Sequence, residues 1–177
     1  MLESEDKLIK QAKKGDEGAF GRLYDRYIGQ IYRFVLVKVN GKAEAEDLTH
    51  DVFLSAWQNL KGYRDQGHPF SSWLYQIARN RVIDHYRTKK AHASIEETDE
   101  ELFKVVGVVE NTLETRLTME KIKSALARLS PDQQDVIMMK FVEDLSNEEI
   151  AKAMDKSEGA IRLLQFRAIQ NLKDQLS

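Results

Sequence analysis

Apolar side chains at spacings of three and four, with little to interrupt them, decide what this chain can become. From Phe20 the residues Leu23, Tyr24, Tyr27, Ile28, Ile31 and Val35 fall on one face of a long helix that Asn40-Gly41 brings to a close. A second helix is expected from about Ala45 to Leu60. Its apolar half carries Leu48, Val52, Phe53, Ala56, Trp57 and Leu60, and its polar half Asp47, His50, Asp51, Leu54 and Gln58. A turn-rich stretch, Lys61 to Pro69, then leads through Ser71 or Ser72 as N-cap into a helix running to about Lys90. Two prolines and nine glycines, with few alternating β-branched runs, argue against a sheet and place the chain in the all-α class.

The later part of the chain is punctuated more sharply. Residues 94–115 show no clear period and read as a linker. Beyond them Thr115 to Leu129 forms one helix, and Ser130-Pro131-Asp132-Gln133 opens another with a serine cap, proline at the first helical position and glutamine three after the cap. The logic repeats at Ser146-Asn147-Glu148-Glu149. Asp155-Lys156-Ser157 makes a short turn, and Ser157 caps a last helix to Leu172. Two small helical domains are therefore expected, 1–93 and 116–177, joined by a linker over 94–115. The C-terminal one has the spacing of a helix-turn-helix: a support helix ending near Leu145, a second carrying Glu149, Ile150, Ala151 and Met154, and a third beginning at Ser157. That arrangement aims the backbone amides of the third helix, with Lys156 and Arg162, at phosphates or bases, while Ile161, Leu164 and Ala168 face the core. An ordinary three-helix bundle has the same outline.

Charge is segregated along the chain. The formal net charge is −2, yet residues 61–93 carry seven basic side chains (Lys61, Arg64, Arg79, Arg81, Arg87, Lys89, Lys90) against Asp65 and Asp84, a local +5. Residues 94–115 reverse this to −6, with seven acids against Lys104. A local basic face sets the field within about one Debye length, ~10 Å, so a mildly acidic chain still suits a polyanion. In the basic stretch the aromatics Tyr63, Phe70, Trp73, Tyr75 and Tyr86 are interleaved with the cations, a composition that suits single-stranded nucleic acid or a duplex being opened. Arg79, Ile83, Tyr86 and Arg87 share one helical face; Trp73, Leu74, Ile77 and Ala78 lie opposite, which makes Trp73 a core residue. A solvated helix face is the alternative for the whole stretch.

Other classes fall away. With no cysteine there is no disulfide framework, thiolate nucleophile or cysteine-ligated zinc, and the four histidines are scattered, so no metal or cofactor is expected. Asp84 beside His85, and Glu148 beside Glu149, are sequence neighbours that point to different faces of a helix. Gly15, Gly18 and Gly21 have the wrong spacing for a nucleotide loop, so no enzymatic activity is expected. An apolar run such as Phe34 to Val37 is too short to span a bilayer, and the acidic start lacks the regions of a secretory signal; a cytoplasmic protein with no membrane partner is the expectation.

Several motifs in order then carry a resemblance over nearly the whole chain. They are Gly15-Asp16 with Ala19-Phe20 and Leu23-Tyr24; Asp47-Leu48-Thr49-His50-Asp51-Val52-Phe53; Phe70 to Asn80 with Asp84 and Arg87; and Leu129-Ser130-Pro131, Glu149-Ile150-Ala151 and Gly159 to Ala168. With them the chain resembles a bacterial RNA polymerase sigma factor of the extracytoplasmic-function subfamily. The resemblance implies that 1–93 is region 2, which binds the clamp helices of the polymerase β′ subunit and melts the −10 element, and that 116–177 is region 4, which reads the −35 element and docks on the β flap. It assigns core-polymerase binding to Asp47, His50, Asp51 and Leu54. It assigns −10 contacts to Lys61, Arg64, Phe70, Arg79, Asn80, Tyr86 and Arg87, and −35 contacts to Lys156, Ser157, Glu158, Gly159, Arg162, Leu163 and Phe166. The implied partners are core RNA polymerase, promoter DNA and, for many members, an anti-sigma factor. Three departures stand out: His50 where glutamine is common, Leu163-Leu164-Gln165 where serine, arginine and leucine are typical, and an acidic linker in place of region 3. The second leaves apolar contact, with thymine methyls or with a protein, where a polar base contact is usual. A free-standing helix-turn-helix regulator is the competing reading.

Overall fold

The computed structural model describes residues 3–39, 41–65, 69–88 and 113–176. They fall into two compact units that divide between residues 94 and 95. The expected linker lies outside the described residues except for its last three, which already belong to a helix.

In the N-terminal unit α1 spans Glu5–Lys13, α2 Glu17–Lys38, α3 Lys42–Asn59 and α4 Phe70–Thr88, with a single 3-10 turn, Leu60–Gly62, after α3. Helix α2 packs on α1, α3 and α4, and α3 packs on α4. This three-sided burial is why its apolar residues cover more than one stripe: Leu23, Ile31, Phe34 and Val35 are all fully buried. Val52, Ala56, Leu74, Tyr75 and Ala78 meet them from α3 and α4, and Phe34 stands edge-on to Tyr75 at a centroid distance of 5.4 Å.

The sequence reading did not include α1. Nine residues of helix need support from outside, and α1 draws it from Leu8, Ile9 and Ala12, buried against α2, and from a Ser4 cap. The Gly15-Asp16 pair then does two jobs. Gly15 takes a left-handed φ of 97° and its N–H donates to Ala12 O at 2.9 Å, while the Asp16 N–H donates to Gln11 O at 3.1 Å, closing α1. The Asp16 carboxylate accepts from the Ala19 N–H at 3.1 Å, opening α2.

Helix α4 starts earlier than expected. Phe70 is its first residue, and Ser71 and Ser72 are buried inside it rather than capping it. The residue ahead is Pro69, whose carbonyl accepts from the Trp73 N–H at 3.3 Å; a proline has no N–H to leave unsatisfied at a helix start.

The C-terminal unit comprises α5 Leu113–Ala127, α6 Pro131–Ile137 continued by a π-helical turn Met138–Val142, α7 Asn147–Met154 and α8 Glu158–Leu176. Leu126, Leu129, Ile137 and Ala168 form a core to which Ile122, Ile169 and Leu172 are added. Both expected capping boxes are present. Ser130 Oγ accepts from the Gln133 N–H at 3.2 Å and Gln133 Oε1 from the Ser130 N–H at 3.4 Å; at Ser146 and Glu149 the two distances are 3.1 and 2.8 Å. Against the expected limits, α5 begins and ends two residues early, and α8 runs four residues past Leu172 to Leu176. Among the described residues no helix is long and apolar enough to cross a membrane.

Ser146→Ala removes one side of a reciprocal cap. Stability of the C-terminal unit should fall by about 1 kcal/mol, read as a lower urea midpoint at unchanged m-value, with the Ser146→Asn variant close to the parent.

Candidate nucleic-acid interface

The turn between α7 and α8 is set by three residues. Asp155 adopts the left-handed conformation at φ 53°, which lets the Lys156 N–H donate to Ala151 O at 2.9 Å and end α7. Ser157 Oγ accepts from the Ala160 N–H at 3.1 Å and starts α8. Helix α8 is held in place on its inner side: Ile161 and Ala168 are fully buried, and Gln165 Nε2 donates to Asn147 Oδ1 at 2.7 Å. Leu164, expected in the core, is half-buried, and Gln165 answers the departure noted in the sequence by tying α8 to the first residue of α7.

The outer side presents Glu158, Gly159, Arg162, Leu163, Phe166 and Arg167, all exposed, with Leu163 at 48% and Phe166 at 62%. Arg162 pairs with Glu158 at 3.7 Å, and Lys156 with Asp132 of α6 at 3.4 Å. Gly159 has no internal reason to be glycine. Its φ is ordinary, and a Cβ there would meet only Ser157 Oγ and an Arg162 guanidinium nitrogen, each at 3.9 Å. A helix tolerates such a residue at some cost, and the gap it leaves lies on the exposed face beside Arg162 and Leu163.

On α3 the residues Asp47, His50, Asp51 and Leu54 form one exposed stripe, Leu54 at 46%, opposite the fully buried Val52 and Ala56. Two carboxylates, an imidazole and a leucine along two turns make a surface suited to a cationic, partly apolar partner.

The loop after α3 and the outer face of α4 expose part of the expected −10 set. Lys61, Arg64, Asn80 and Arg87 are exposed and Arg79 is half-buried. Phe70 does not belong with them. It is 2% exposed, packed on Tyr63 at 5.5 Å, Trp73 at 5.6 Å and Tyr27 at 5.7 Å between ring centroids. Its ring faces have no room for a base, so Phe70 is a core residue that supports the loop from beneath. Tyr63 is buried too; its carbonyl accepts from Lys13 Nζ, which also sits 5.5 Å from the Tyr63 ring centroid. Tyr86 is 47% exposed, but its hydroxyl donates to Lys38 O at the end of α2, so the ring is held at a fixed angle. Partial burial and then Glu44 hold that hydroxyl above the ordinary tyrosine range, which keeps it a donor. Next to it His85 faces Glu44 of α3 at 3.4 Å.

The two units match two family models in the same order, Sigma-70 region 2 over residues 23–92 and Sigma-70 region 4 over residues 119–172. The ECF RNA polymerase sigma factor SigW of Bacillus subtilis is 31% identical over 182 residues, covering 96% of this chain and 95% of its own length. This chain is an ECF RNA polymerase sigma factor. BldN of Streptomyces coelicolor, another ECF sigma factor, is 39% identical over 93% of this chain, which spans 63% of BldN's length. The fold is that of CnrH, solved in complex with the cytosolic domain of CnrY, at TM-score 0.75 and 24% identity over 98% of this chain and 97% of that one. It is also that of the sigma factor RpoE of Bartonella quintana, solved with the anti-sigma factor NepR, at TM-score 0.67 and 23% identity over 89% and 96% of the two chains. A free-standing helix-turn-helix regulator does not account for the region 2 match.

Three parts of the sigma factor's surface were not singled out in the sequence. Ile83 is 43% exposed between Arg79 and Arg87, an apolar residue on the outer face of α4. Tyr86 and His85 fasten the end of α4 to the α2–α3 corner, and Lys13 fastens α1 to the loop. Ile83 and Tyr86 left a trace in the sequence, as members of the Arg79–Arg87 face; the contacts themselves join residues some forty to fifty apart.

The aromatic cluster yields a pH test. Burial, with Asp65, Glu5 and Asp6 adding negative field, pushes the Tyr63 hydroxyl up to about 12, and burial with a hydrogen bond to Glu5 raises Tyr27 further. Both are neutral when folded, whereas unfolded tyrosines ionise near ~10. Their contribution is complete below pH ~10 and is lost as pH rises towards 12. The N-terminal unit should therefore lose stability over that window. In Tyr27→Phe/Tyr63→Phe the alkaline fall should be shallower, as followed by urea unfolding at each pH.

Proposed function

We propose that this sigma factor binds core RNA polymerase and directs promoter-specific initiation by recognising −10 and −35 elements and opening promoter DNA. The observation that carries the reading is the pairing of two exposed surfaces with the two matched regions: a carboxylate stripe on α3 in region 2, and a cationic and apolar face on α8 in region 4. Residues 1–93 act as region 2 and 116–177 as region 4, with the intervening acidic stretch as the connection.

Asp47, His50, Asp51 and Leu54 are the contact for the β′ clamp helices, whose basic side chains would pair with the two carboxylates. Lys61, Arg64, Arg79, Asn80, Tyr86 and Arg87 line the −10 surface, where cations follow the phosphates and the held Tyr86 ring offers an edge to a base; unstacking a base costs a few kcal/mol that these contacts must offset. Lys156, Ser157, Glu158, Gly159, Arg162, Leu163 and Phe166 present α8 to the major groove of the −35 element. The apolar groove lined by Ile137, Phe141, Ile169, Leu172 and Leu176 has the chemistry for the β flap. Promoter opening of this kind needs no catalytic side chain, and the reactions of RNA synthesis belong to the polymerase. The protein works in the cytoplasm, and an anti-sigma factor that covers these faces is a further candidate partner.

In vitro transcription with purified core polymerase on a pool of promoter fragments tests the whole reading. Initiation that depends on the protein is expected; specific duplex binding without polymerase, and no transcript with it, would replace the reading by a free-standing regulator. Asp47→Arg/Asp51→Arg should abolish association with core polymerase in a pull-down at unchanged helical circular dichroism, because both side chains project from the surface.

Gly159→Ala separates folding from function. Stability should rise by about 0.5–1 kcal/mol, since alanine is the better helix residue and meets only ordinary contacts at 3.9 Å, while −35 protection in the holoenzyme footprint weakens.

A further inference from the structure

Resting on that reading, we infer that Leu163 and Phe166 are specificity residues for thymine, and that region 4 of this chain reads the methyl groups of one or two A·T pairs in the −35 element. Two observations point there. The first is the composition of the exposed α8 face, whose centre is apolar although its neighbours are charged. Leu163 and Phe166 are 48% and 62% exposed, and Arg162 and Arg167 stand beside them. The spacings of three and four residues put Leu163 and Phe166 side by side, with Arg162 one turn before Phe166 and Arg167 one turn after Leu163. Cations on both sides of a small apolar centre complement a groove whose walls are phosphate and whose floor carries one kind of apolar group. In the major groove that group is the 5-methyl of thymine.

The second is Gly159, one turn before Leu163 on the same face. A Cβ there would touch only ordinary contacts at 3.9 Å, so the missing side chain serves nothing within the unit. Its absence lets the first turn of α8 sit closer to a surface in front of it, as reading by short apolar side chains requires. A leucine reaches a methyl only if the backbone comes near; a long arginine or glutamine does not need this.

A protein partner is the other class of occupant for an apolar face. The groove of Ile137, Phe141, Ile169, Leu172 and Leu176 has that chemistry, with five apolar residues and one lysine. The Leu163 and Phe166 centre is smaller and is flanked by two arginines, which favours the duplex. Three residues of helix advance about 4.5 Å along the axis, a little more than one ~3.4 Å base step, so the two side chains meet methyls on adjacent or next-adjacent pairs.

The test uses full-length protein with core polymerase on a promoter selected from a fragment pool. Thymines of the upstream element, on either strand, are replaced singly by deoxyuridine, which removes the methyl and leaves every hydrogen-bonding group. Initiation is read at sub-saturating holoenzyme. One or two positions should lose about three- to fivefold each, the worth of one buried methyl. In Leu163→Ala/Phe166→Ala those positions should become indifferent to the replacement, whereas Arg162→Ala should lower initiation equally on thymine and deoxyuridine templates.

The inference is overturned if no replacement changes initiation by twofold, if the same losses persist in the double variant, or if the selected element contains no A·T pair. It is also overturned if the double variant no longer associates with core polymerase in a pull-down, which would make the face a protein contact. Absence of any polymerase-dependent initiation across the pool would instead bring down the sigma function itself, and this inference with it.

Discussion

Four corners, those before α2, α6, α7 and α8, are built at helix N-termini closed by one side-chain oxygen, and what the flanking helices show to the outside depends on where those closures fall. A helix start leaves four N–H groups without partners, and burying such an end uncapped is costly. Asp16, Ser130, Ser146 and Ser157 each supply an acceptor to the residue three positions on. Because the cap sits at the first position that can serve, the turn before it is short, and a short turn folds two helices against each other. Gly15-Asp16 shows this most compactly: the glycine ends α1 in a left-handed conformation and the aspartate starts α2. Asp155-Lys156-Ser157 does the same between α7 and α8 with an aspartate in the left-handed place.

Given those corners, polar and aromatic residues divide the surface in a way that composition alone misstates. The aromatics between 63 and 75 are mostly structural. Tyr63, Phe70 and Trp73 pack on one another and on Tyr27, so the cationic positions around them, Lys61 and Arg64, are carried on a stiff platform. Stiffness there matters for opening a duplex, because a loop that reorders on binding spends contact energy on its own entropy. Lys13 and Glu5 extend the platform to α1, which makes the first helix part of the support for the loop.

Much of this was legible in the sequence where the signal is local. Both capping boxes, the proline at the start of α6, the Ser157 cap and the outward turn of Arg162, Leu163 and Phe166 follow from residues within four positions of one another. The exposed stripe from Asp47 to Leu54 follows from the helical period in the same way. What escaped depends on partners far along the chain. Phe70 sits in a basic aromatic stretch, and whether it stacks a base or fills the core is decided by Tyr27 and Tyr63. Ser71 and Ser72 have the chemistry of caps, yet the helix begins ahead of them, at a proline. Helix α1 is short, and its stability comes from burial on α2 rather than from propensity.

The ion pairs of region 4 bear on how strongly its cations favour a phosphate. A cation gains most from a phosphate when its alternative is a released counterion, and this electrostatic gain dominates non-specific affinity. Around the start of α8 the alternative is a carboxylate of the same unit: Glu158 for Arg162 at 3.7 Å and Asp132 for Lys156 at 3.4 Å. A phosphate must displace a partner already there, although exposed pairs of this kind are worth only about 0–1 kcal/mol each. A weak reader with preserved discrimination is useful only when something else raises its local concentration at DNA. Tethering two such readers to one large DNA-binding enzyme does so, since the second contact becomes intramolecular once the first is made. On the proposed function, the ion-paired cations of region 4 and its attachment to polymerase complement each other.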